Sequence, residues 1–379
     1  MSRLWLLALS VATSLVLSLS CGTCSSDSAG PLPAHSSAVW HASAAAPTSP
    51  SQADDVYAAT FTSHLPAAVA NIRPLVYVPN TRDAMVDVID PATMTVVDHF
   101  RVGTIPHHVT PSWDLRLLYV DNTQGDSLTV IDARTAKPVT TIPVVDPYNL
   151  YFTPDGSRAI VVAERFNRLD VRDPHTWALL GSIPIPGNGP DHLDFTADGY
   201  ELLITTEFDG NLFRVDPYGL RVTGQLHLGG LPVDVRLSPD GSVFFVANQG
   251  RHGVSVVDAK ELRELAFLPT GRGAHGLALS RDGRSLYVSN RLAGSISDID
   301  LSTRRVIATW NVGGSPDMLQ VSPDGSQLWT AHRYHNAVIV IDTTRGKVLH
   351  RIKVGRGPHG LTLFPQPGRF SLGHNGVYR

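Results

Sequence analysis

The chain has 379 residues, of which 42% are hydrophobic and 17% are charged, and its formal net charge at pH 7 is -3. This near balance of acidic and basic residues argues against a nucleic-acid-binding protein, because duplex recognition usually needs a strongly basic surface. The hydrophobic content suits a large core, and 32 glycines with 27 prolines indicate many tight turns between short elements. Together these values exclude wholesale disorder, collagen, a coiled coil and a disulfide-dense scaffold.

Residues 1–20 have the layout of a secretory signal peptide. Arg3 precedes an apolar stretch from Leu4 to Leu19, and small residues come just before Cys21. We therefore predict an exported protein, either periplasmic or extracellular. Cys21 is either the first residue after a plain signal-peptide cut or the lipid-acceptor cysteine of a membrane-anchored lipoprotein. An uncleaved anchor is disfavoured because an apolar stretch of 16 residues is short for a bilayer span.

The segment from 21 to 74 precedes the part of the chain with a clear pattern. Cys21 and Cys24 are its only cysteines. Two residues separate them, but no histidine follows as in a c-type haem motif, so haem is not expected there. A zinc ribbon would need a second pair of cysteines, which the chain does not have. A composition dominated by Ser, Ala and Pro predicts that residues 21–53 form a disordered tether. For residues 54–74 an added strand and a cap are both left open.

From residue 75 to residue 365 the chain repeats a unit of about 42 residues seven times. In each unit an extended run ends in a polar residue, and these residues are Asn80, Asn122, Glu164, Glu207, Asn248, Asn290 and His332. Most units also contain an Asp-Gly turn, such as Asp324-Gly325, which is a strong hairpin signal. In the second unit Leu115 stands where the glycine would be, which predicts a different turn.

Each unit has room for four short strands and their turns, and no stretch of helical period lies between them. The sequence therefore predicts an all-β fold, a seven-bladed β-propeller made of four-stranded antiparallel blades. The first unit begins at its second strand, and the chain supplies an extra first strand from His359 to Phe364. We expect this C-terminal strand to join blade one and close the ring, which leaves residues 366–379 as a C-terminal tail.

These repeats resemble the YVTN family of β-propeller repeats. The resemblance rests on the Asp-Gly turn, the Tyr-Val-x-Asn run and the Val-x-Val-Ile-Asp run, as read from Ala274 to Thr303 and from Pro316 to Asp342. It covers about residues 75–365 and implies the superfamily that includes lactonase-like and cytochrome d1-like propellers. It implies less about function, since related propellers include binding proteins, sugar-lactone hydrolases and subunits of haem or quinone enzymes. Cytochrome d1-type propellers have eight blades, so haem is not expected on this ground either.

In a propeller, the loops that enter the innermost strands and the loops that follow the second strands open on one face, around the central channel. Ligands usually bind at this channel mouth. The candidate ligand-binding residues are Asn80, Arg82, His107, Asn122, Tyr148, Arg165, Asp191, His192, Asn248, His275, Asn290, Arg291, Asp317, Arg333 and His359.

Histidines at this mouth could hold a transition metal. Ring closure brings blades seven, one and two together, so His107, His332 and His359 are the candidate ligands, with water in an open position. No other cofactor is predicted. The alternative is that His275 and His359 are hydrogen-bonded to loop backbone and have a structural role.

Three of the polar residues that end the extended runs differ from the asparagine of the other four units. Glu164, Glu207 and His332 are therefore candidate catalytic residues, because carboxylates beside a histidine can act as acid and base. Arg165 or Arg291 would hold an anionic substrate. The alternative is that the two glutamates are solvated loop charges.

Deeper in the channel, Asp194 and Arg236 are predicted to form an ion pair.

The favoured function is an exported, non-catalytic propeller that binds a small molecule, a peptide or a protein partner at the channel mouth. The chain has no Gly-x-Ser-x-Gly, P-loop or His-Glu-x-x-His motif. Two alternatives are left open, a metal-assisted hydrolase or lactonase-like enzyme, and a redox accessory protein that works with haem, quinone or copper. No nucleic acid is expected, and membrane contact is expected only through an N-terminal lipid or signal anchor. The ligand and the oligomeric state are left open.

Overall fold

The computed structural model describes residues 55–61 and 64–379. The predicted signal peptide, the Cys21 lipidation site and the 21–53 tether lie outside the described residues. Within those two ranges, no helix is long and apolar enough to cross a membrane.

Nearly all of the described regular structure is β-strand. In chain order the strands are β1 (Leu75–Asn80), β2 (Met85–Asp90), β3 (Thr95–Arg101), β4 (Pro106–Pro111), β5 (Leu117–Asn122), β6 (Ser127–Asp132), β7 (Lys137–Pro143), β8 (Asn149–Phe152), β9 (Ala159–Ala163), β10 (Arg168–Arg172), β11 (Leu179–Pro184), β12 (Pro190–Phe195), β13 (Leu202–Thr206), β14 (Asn211–Asp216), β15 (Arg221–His227), β16 (Pro232–Leu237), β17 (Val243–Asn248), β18 (Gly253–Asp258), β19 (Glu264–Pro269), β20 (Ala274–Leu279), β21 (Ser285–Asn290), β22 (Ser295–Asp300), β23 (Arg305–Asn311), β24 (Pro316–Val321), β25 (Gln327–His332), β26 (Ala337–Asp342), β27 (Lys347–Lys353), β28 (Thr362–Phe364), β29 (Ser371–Gly373) and β30 (Val377–Tyr378). Short 3-10 turns lie at Ala58–Thr60, Thr123–Gly125 and Glu164–Phe166.

These strands form seven antiparallel sheets, which are the blades of a propeller. Blade one has the order β28-β1-β2-β3, and each later blade begins with the next four strands along the chain, so that blade two is β4-β5-β6-β7 and blade seven is β24-β25-β26-β27. The predicted all-β, seven-bladed fold is therefore confirmed.

Ring closure is made by strand β28. It pairs antiparallel with β1, and the register places Leu75 opposite Phe364 and Tyr77 opposite Thr362. An isolated bridge between Asn80 and Pro358 extends this pairing toward the channel mouth. The predicted closure by a C-terminal strand is confirmed, and it hides the edge that β1 would otherwise expose.

The core lies between neighbouring blades. The inner strands are buried on both faces, as β17 shows at all six positions, whereas outer strands such as β15 alternate between exposed and half-buried residues. Between blades three and four, Tyr151, Phe195 and Phe213 belong to one buried apolar cluster. This double burial explains why the strands carry near-continuous apolar runs.

The turn between the first two strands of blade two has the same backbone handedness as its counterparts. Leu115 adopts a φ of 65°, close to the 70° of Gly156 in blade three. The expectation of a different turn in the second unit is therefore wrong. A leucine is held there in a conformation that favours glycine, and its side chain is buried in the core.

Residues 371–378 form a hairpin inside the channel. Its first strand, β29, pairs with β8, the innermost strand of blade three, and Gly373 lies opposite Tyr151. A Cβ atom on Gly373 would lie 2.4 Å from the carbonyl oxygen of Leu150, so only glycine permits this approach. Blade three thereby gains two strands and becomes six-stranded. We call residues 371–378 the channel hairpin.

The two faces of the ring differ in what covers them. We call the face with the loops that enter the innermost strands the upper face. Pro106, at the start of β4, pairs with Asn122, at the end of β5, so the loops after the second strands open there too. On the lower face, Val56 donates a backbone hydrogen bond to Pro239, and the Tyr57 hydroxyl donates one to Asp194. The described part of residues 54–74 thus contains no strand, and it covers the lower mouth.

Candidate functional site

The strand register fixes which residues are equivalent on the upper face. Asn80 pairs with Met85 at the end of β1, and the matching positions in blades three and four are Ala163 and Thr206. Glu164 and Glu207 lie one residue later, in the loop. Our alignment of these glutamates with the asparagines is therefore wrong by one residue. Because they lie beyond the last paired residue, both are partly exposed.

The four asparagines that end second strands are fully buried and bonded inside the protein. Asn290 donates to Ser297 at 3.0 Å, and Asn80 donates to Asp87 at 3.0 Å. Asn122 and Asn248 accept backbone hydrogen bonds from Gly103 and Leu231. These contacts favour a structural role, and their role in ligand binding stays a prediction.

Blades six, seven and one contribute a set of groups around one buried carboxylate. Asp317 is fully buried, and its Oδ1 lies 2.6 Å from Arg291 Nη2 and 3.0 Å from His275 Nδ1. Its Oδ2 lies 3.2 Å from His359 Nδ1 and 3.9 Å from Arg333 Nη1. We call these five residues the arginine side. The predicted ligand-binding residues Arg291, Asp317, Arg333, His275 and His359 are thus brought together.

On the arginine side the one carboxylate is paired with guanidinium groups. Burial alone would raise the pKa of Asp317, but Arg291 lowers it below its usual value. Burial and the nearby guanidinium groups hold the pKa of His275 and of His359 well below the usual range, so both rings are neutral. The two histidines contact a carboxylate and arginines, not the loop backbone that we considered as the alternative.

Blades three and four present the opposite charge. Burial and the carboxylates of Asp191 and Asp146 raise the pKa of Glu164 to about 7. Burial and Asp191 likewise raise the pKa of Glu207 to about 7. We call Glu164, Asp191 and Glu207 the acidic side, and it carries more negative charge than its immediate surroundings neutralise.

The predicted anion-binding residue Arg165 and the predicted ligand-binding residue Arg82 both lie outside the arginine side. Arg165 Nε lies 2.7 Å from Asp146, and its Nη2 lies 2.6 Å from Asp126, so its guanidinium already joins two loops. Arg82 is exposed, and its backbone N–H donates to Arg356. Neither residue is positioned to bind the same group as Arg291.

A cluster of histidine rings lies just below the upper face. One ring nitrogen each from His108, His192 and His374 lies within 4.8 Å of the others. The ring centroids are 4.6 Å apart for His192 and His374, and 4.8 Å apart for His108 and His374. Burial holds the pKa of His108 and His374 well below the usual range. We call these three residues the histidine cluster.

His192 differs from the other two members because it has a charged neighbour. Its Nδ1 lies 2.6 Å from Asp191 Oδ1. Burial alone would lower the pKa of His192, but the Asp191 carboxylate outweighs burial and raises it.

The three predicted metal ligands are only partly brought together. His107 and His359 have ring centroids 4.9 Å apart, and His107 also contacts the predicted ligand-binding residue Tyr148. His332 packs against Gly314, where its burial lowers its pKa to about 3, and it makes no ring contact with His107 or His359. Among the described residues, the group with ligand atoms in reach of one another is the histidine cluster.

Exposed apolar side chains surround the opening of the upper face. They lie in the loops that follow the second strands of blades three, four, six and seven. Their exposed fractions are 50% for Phe166, 56% for Phe208, 56% for Leu292 and 57% for Tyr334. We call these four residues the apolar rim. Phe208, Leu292 and Tyr334 each stand two residues after the end of the second strand of their blade, whereas Phe166 stands three residues after Ala163.

The sequence matches a family model described as the YNCE-like beta-propeller over residues 32–368. The chain belongs to this family. No curated protein matches the sequence.

Three solved structures show the same fold. Hydrazine synthase from Kuenenia stuttgartiensis is 23% identical, with a TM-score of 0.63, over 70% of this chain and 92% of that one. Dihydro-heme d1 dehydrogenase NirN is 16% identical, with a TM-score of 0.61, over 76% and 75%. The Bacteroides uniformis "putative 6-phosphogluconolactonase" is 17% identical, with a TM-score of 0.64, over 77% and 99%. The resemblance to cytochrome d1-like and lactonase-like propellers is confirmed, and at these identities it concerns the fold alone.

Sequence reasoning missed the part of the site that the channel hairpin supplies. His374 and Asn375 come from the segment that we treated as a tail outside the propeller. A signal was present, because Asn375-Gly376 is a dipeptide typical of two-residue hairpin turns. Asp194 lies 3.0 Å from Arg379, the residue after the channel hairpin, and Arg236 lies 3.7 Å from Asp234. These two contacts replace the predicted ion pair between Asp194 and Arg236.

Proposed function

We propose that this chain is an exported, non-catalytic propeller whose upper face binds a peptide or a segment of a protein partner. The observation that carries the proposal is the apolar rim around an opening with separated charges. Phe208 and Tyr334 are both more than half exposed, and they lie beside the acidic side and the arginine side respectively. Aromatic side chains of this kind supply much of the binding energy at protein interfaces.

The two charged sides would orient the bound segment. Arg333 has 27% of its side chain exposed, so it can meet an acidic group of the partner. Glu207, across the opening, can meet a basic group. Charge pairs at the edge of an interface contribute more to orientation and to the association rate than to affinity. A segment with an apolar residue between charges of opposite sign therefore fits this face.

The acidic side supports one alternative function, that of a hydrolase. Glu164 and Glu207 have pKa values of about 7, which is the range in which a carboxyl group serves as an acid and a base at neutral pH. In a hydrolase these two carboxyl groups would act as acid and base on a substrate bound near Arg291. The Arg291 guanidinium, however, already contacts Asp317 at 2.6 Å. Because that contact occupies the arginine, peptide binding is the better supported function.

Selection of peptides from a random displayed library on the full chain tests the proposal. Enriched peptides are synthesised and titrated against the parent and against the Phe208→Ser/Tyr334→Ser double variant. We expect the double variant to weaken binding by about 30-fold or more, since one hot-spot residue contributes about 2 kcal/mol. The matched control is Val139→Ser, which removes a residue that is 58% exposed on an outer strand.

Binding that weakens equally in Val139→Ser and in the rim variant would contradict the proposal, as would the absence of any enriched peptide. The hydrolase alternative is tested separately with lactone and ester substrates. Turnover by the parent that disappears in Glu164→Gln, while peptide binding is unchanged, would favour the enzyme.

A further inference from the structure

We propose that His108, His192 and His374 form a binding site for one divalent transition-metal ion, Cu²⁺ or Zn²⁺, inside the channel. Blade two supplies His108, blade four supplies His192, and the channel hairpin supplies His374. All three side chains are buried, and one nitrogen of each lies within 4.8 Å of the others. This inference does not depend on the proposed binding of a peptide at the upper face.

The first argument is the way the rings are held. His108 Nδ1 lies 2.8 Å from the side-chain oxygen of Asn375, and His374 Nδ1 lies 3.1 Å from that of Asn149. His192 Nδ1 faces the Asp191 carboxylate. For His108 and His374 the side-chain oxygen favours a proton on Nδ1, so that the lone pair of the neutral ring is on Nε2. At His192 the ion would have to displace the proton that the Asp191 carboxylate stabilises on the ring. Metal-ligating histidines are characteristically held in this way.

The second argument is the lack of partners for the free nitrogens. Nε2 of His108 and Nε2 of His192 are buried and have no hydrogen-bond partner within the described chain. A buried polar atom without a partner is costly, and a bound ion would remove that cost at both positions. His374 Nε2 accepts a hydrogen bond of 3.3 Å from Asn375 Nδ2, which a bound ion would replace.

The three imidazole ligands determine which class of metal ion fits the site. Three imidazoles without a thiolate suit Cu²⁺ and Zn²⁺ better than Mg²⁺ or Ca²⁺, which prefer oxygen ligands. Metal–nitrogen bonds of about 2.0 to 2.1 Å require the three nitrogens to approach to roughly 3.3 Å in a tetrahedral site. Three ligands leave at least one position for water or another small ligand.

The channel hairpin also borders a cavity of about 80 Å³. His374 and Asn375 line this cavity together with residues of blades five, six and seven and of the segment before blade one. An ion in the cluster would tie the hairpin to blades two and four. Metal binding and insertion of the hairpin are therefore expected to strengthen each other.

Metal titration tests the site. The untagged full chain carries Cys21→Ser and Cys24→Ser, so that these cysteines cannot bind the ion, and Zn²⁺ is titrated in competition with a chromophoric chelator. We expect one ion per chain with a dissociation constant in the micromolar range or below. His374→Ala should weaken binding by at least about 100-fold, since even residues behind the ligands change affinity by 10- to 100-fold. The matched control is His332→Ala, which removes another buried histidine with unpartnered nitrogens and should change affinity less than about threefold.

Absence of stoichiometric binding, or equal losses in His374→Ala and His332→Ala, would overturn the proposal. Because His374→Ala could disturb the hairpin, electron paramagnetic resonance of Cu²⁺ added to the cysteine-free chain gives a second readout. Nitrogen hyperfine couplings from several imidazoles would support the site. A spectrum with oxygen ligands alone would overturn it.

Discussion

The arginine side and the acidic side lie across one opening, yet the pKa values of their carboxylates are shifted in opposite directions. On the arginine side, Asp317 meets Arg291 and Arg333, and its pKa falls below the usual value. On the acidic side, Glu164 and Glu207 have neighbouring carboxylates, and their pKa values rise to about 7. The comparison teaches that one side is a completed network that holds blades together. The other retains charge that only a bound partner or a proton can neutralise.

The largest expected effect comes from breaking the completed network. Asp317→Asn leaves the Arg291 guanidinium without its buried carboxylate, which typically costs about 3 to 5 kcal/mol. We expect the concentration of guanidinium chloride at the midpoint of unfolding to fall accordingly at pH 7. Because the pKa of Asp317 is lowered in the folded state, its stabilisation is present above the ordinary value of 3.8 and is lost as the pH falls below it. A loss under about 1 kcal/mol at pH 7 would contradict the view of a completed network.

The acidic side should show the opposite pH dependence. A folded pKa of about 7 exceeds the ordinary 4.5, so the folded chain holds protons that the unfolded chain releases, and stability falls as the pH rises through this window. Glu164→Gln and Glu207→Gln should each be more stable than the parent at pH 8 by about 1 to 2 kcal/mol, after solvent screening is allowed for. At pH 4 they should match the parent. Unfolding curves at both pH values check this, and equal stability at pH 8 would show that solvent already neutralises this side.

The smallest expected effect is that of removing an exposed ion pair, and it serves as the reference for the other two. Arg345 pairs with Asp342 at 3.4 Å, but its side chain is 73% exposed. An exposed pair of this kind contributes at most about 0.5 kcal/mol, so Arg345→Gln should unfold with the parent. The same denaturation assay at pH 7 measures it. A loss comparable to that of Asp317→Asn would mean that burial is not what separates the two regions.

The repeat pattern was enough to predict the blades, the closing strand and much of the arginine side, because each unit specifies the same strands and turns. It could not predict His374, since the pairing of Gly373 with Tyr151 joins distant segments and follows no repeat. The register in blades three and four was also misread. Glu164 follows Ala163 as a polar residue after an apolar run, and only the interstrand hydrogen bonds show where the pairing ends. Long-range contact and register, not composition, set these limits.

The closing strand has a consequence for the order in which the ring can form during synthesis. The four blade strands of each of blades two to seven are consecutive in the chain, so each of these sheets can assemble once its own residues have emerged from the ribosome. Blade three gains β29 and β30 only after the C-terminal residues have been made. Blade one begins with Leu75 but lacks its innermost strand until Thr362 to Phe364 has been made. The nascent chain must therefore carry an unpaired β1 edge through nearly the whole of translation, and such edges attract other strands. Protection of that edge while the chain is being made falls to cellular chaperones.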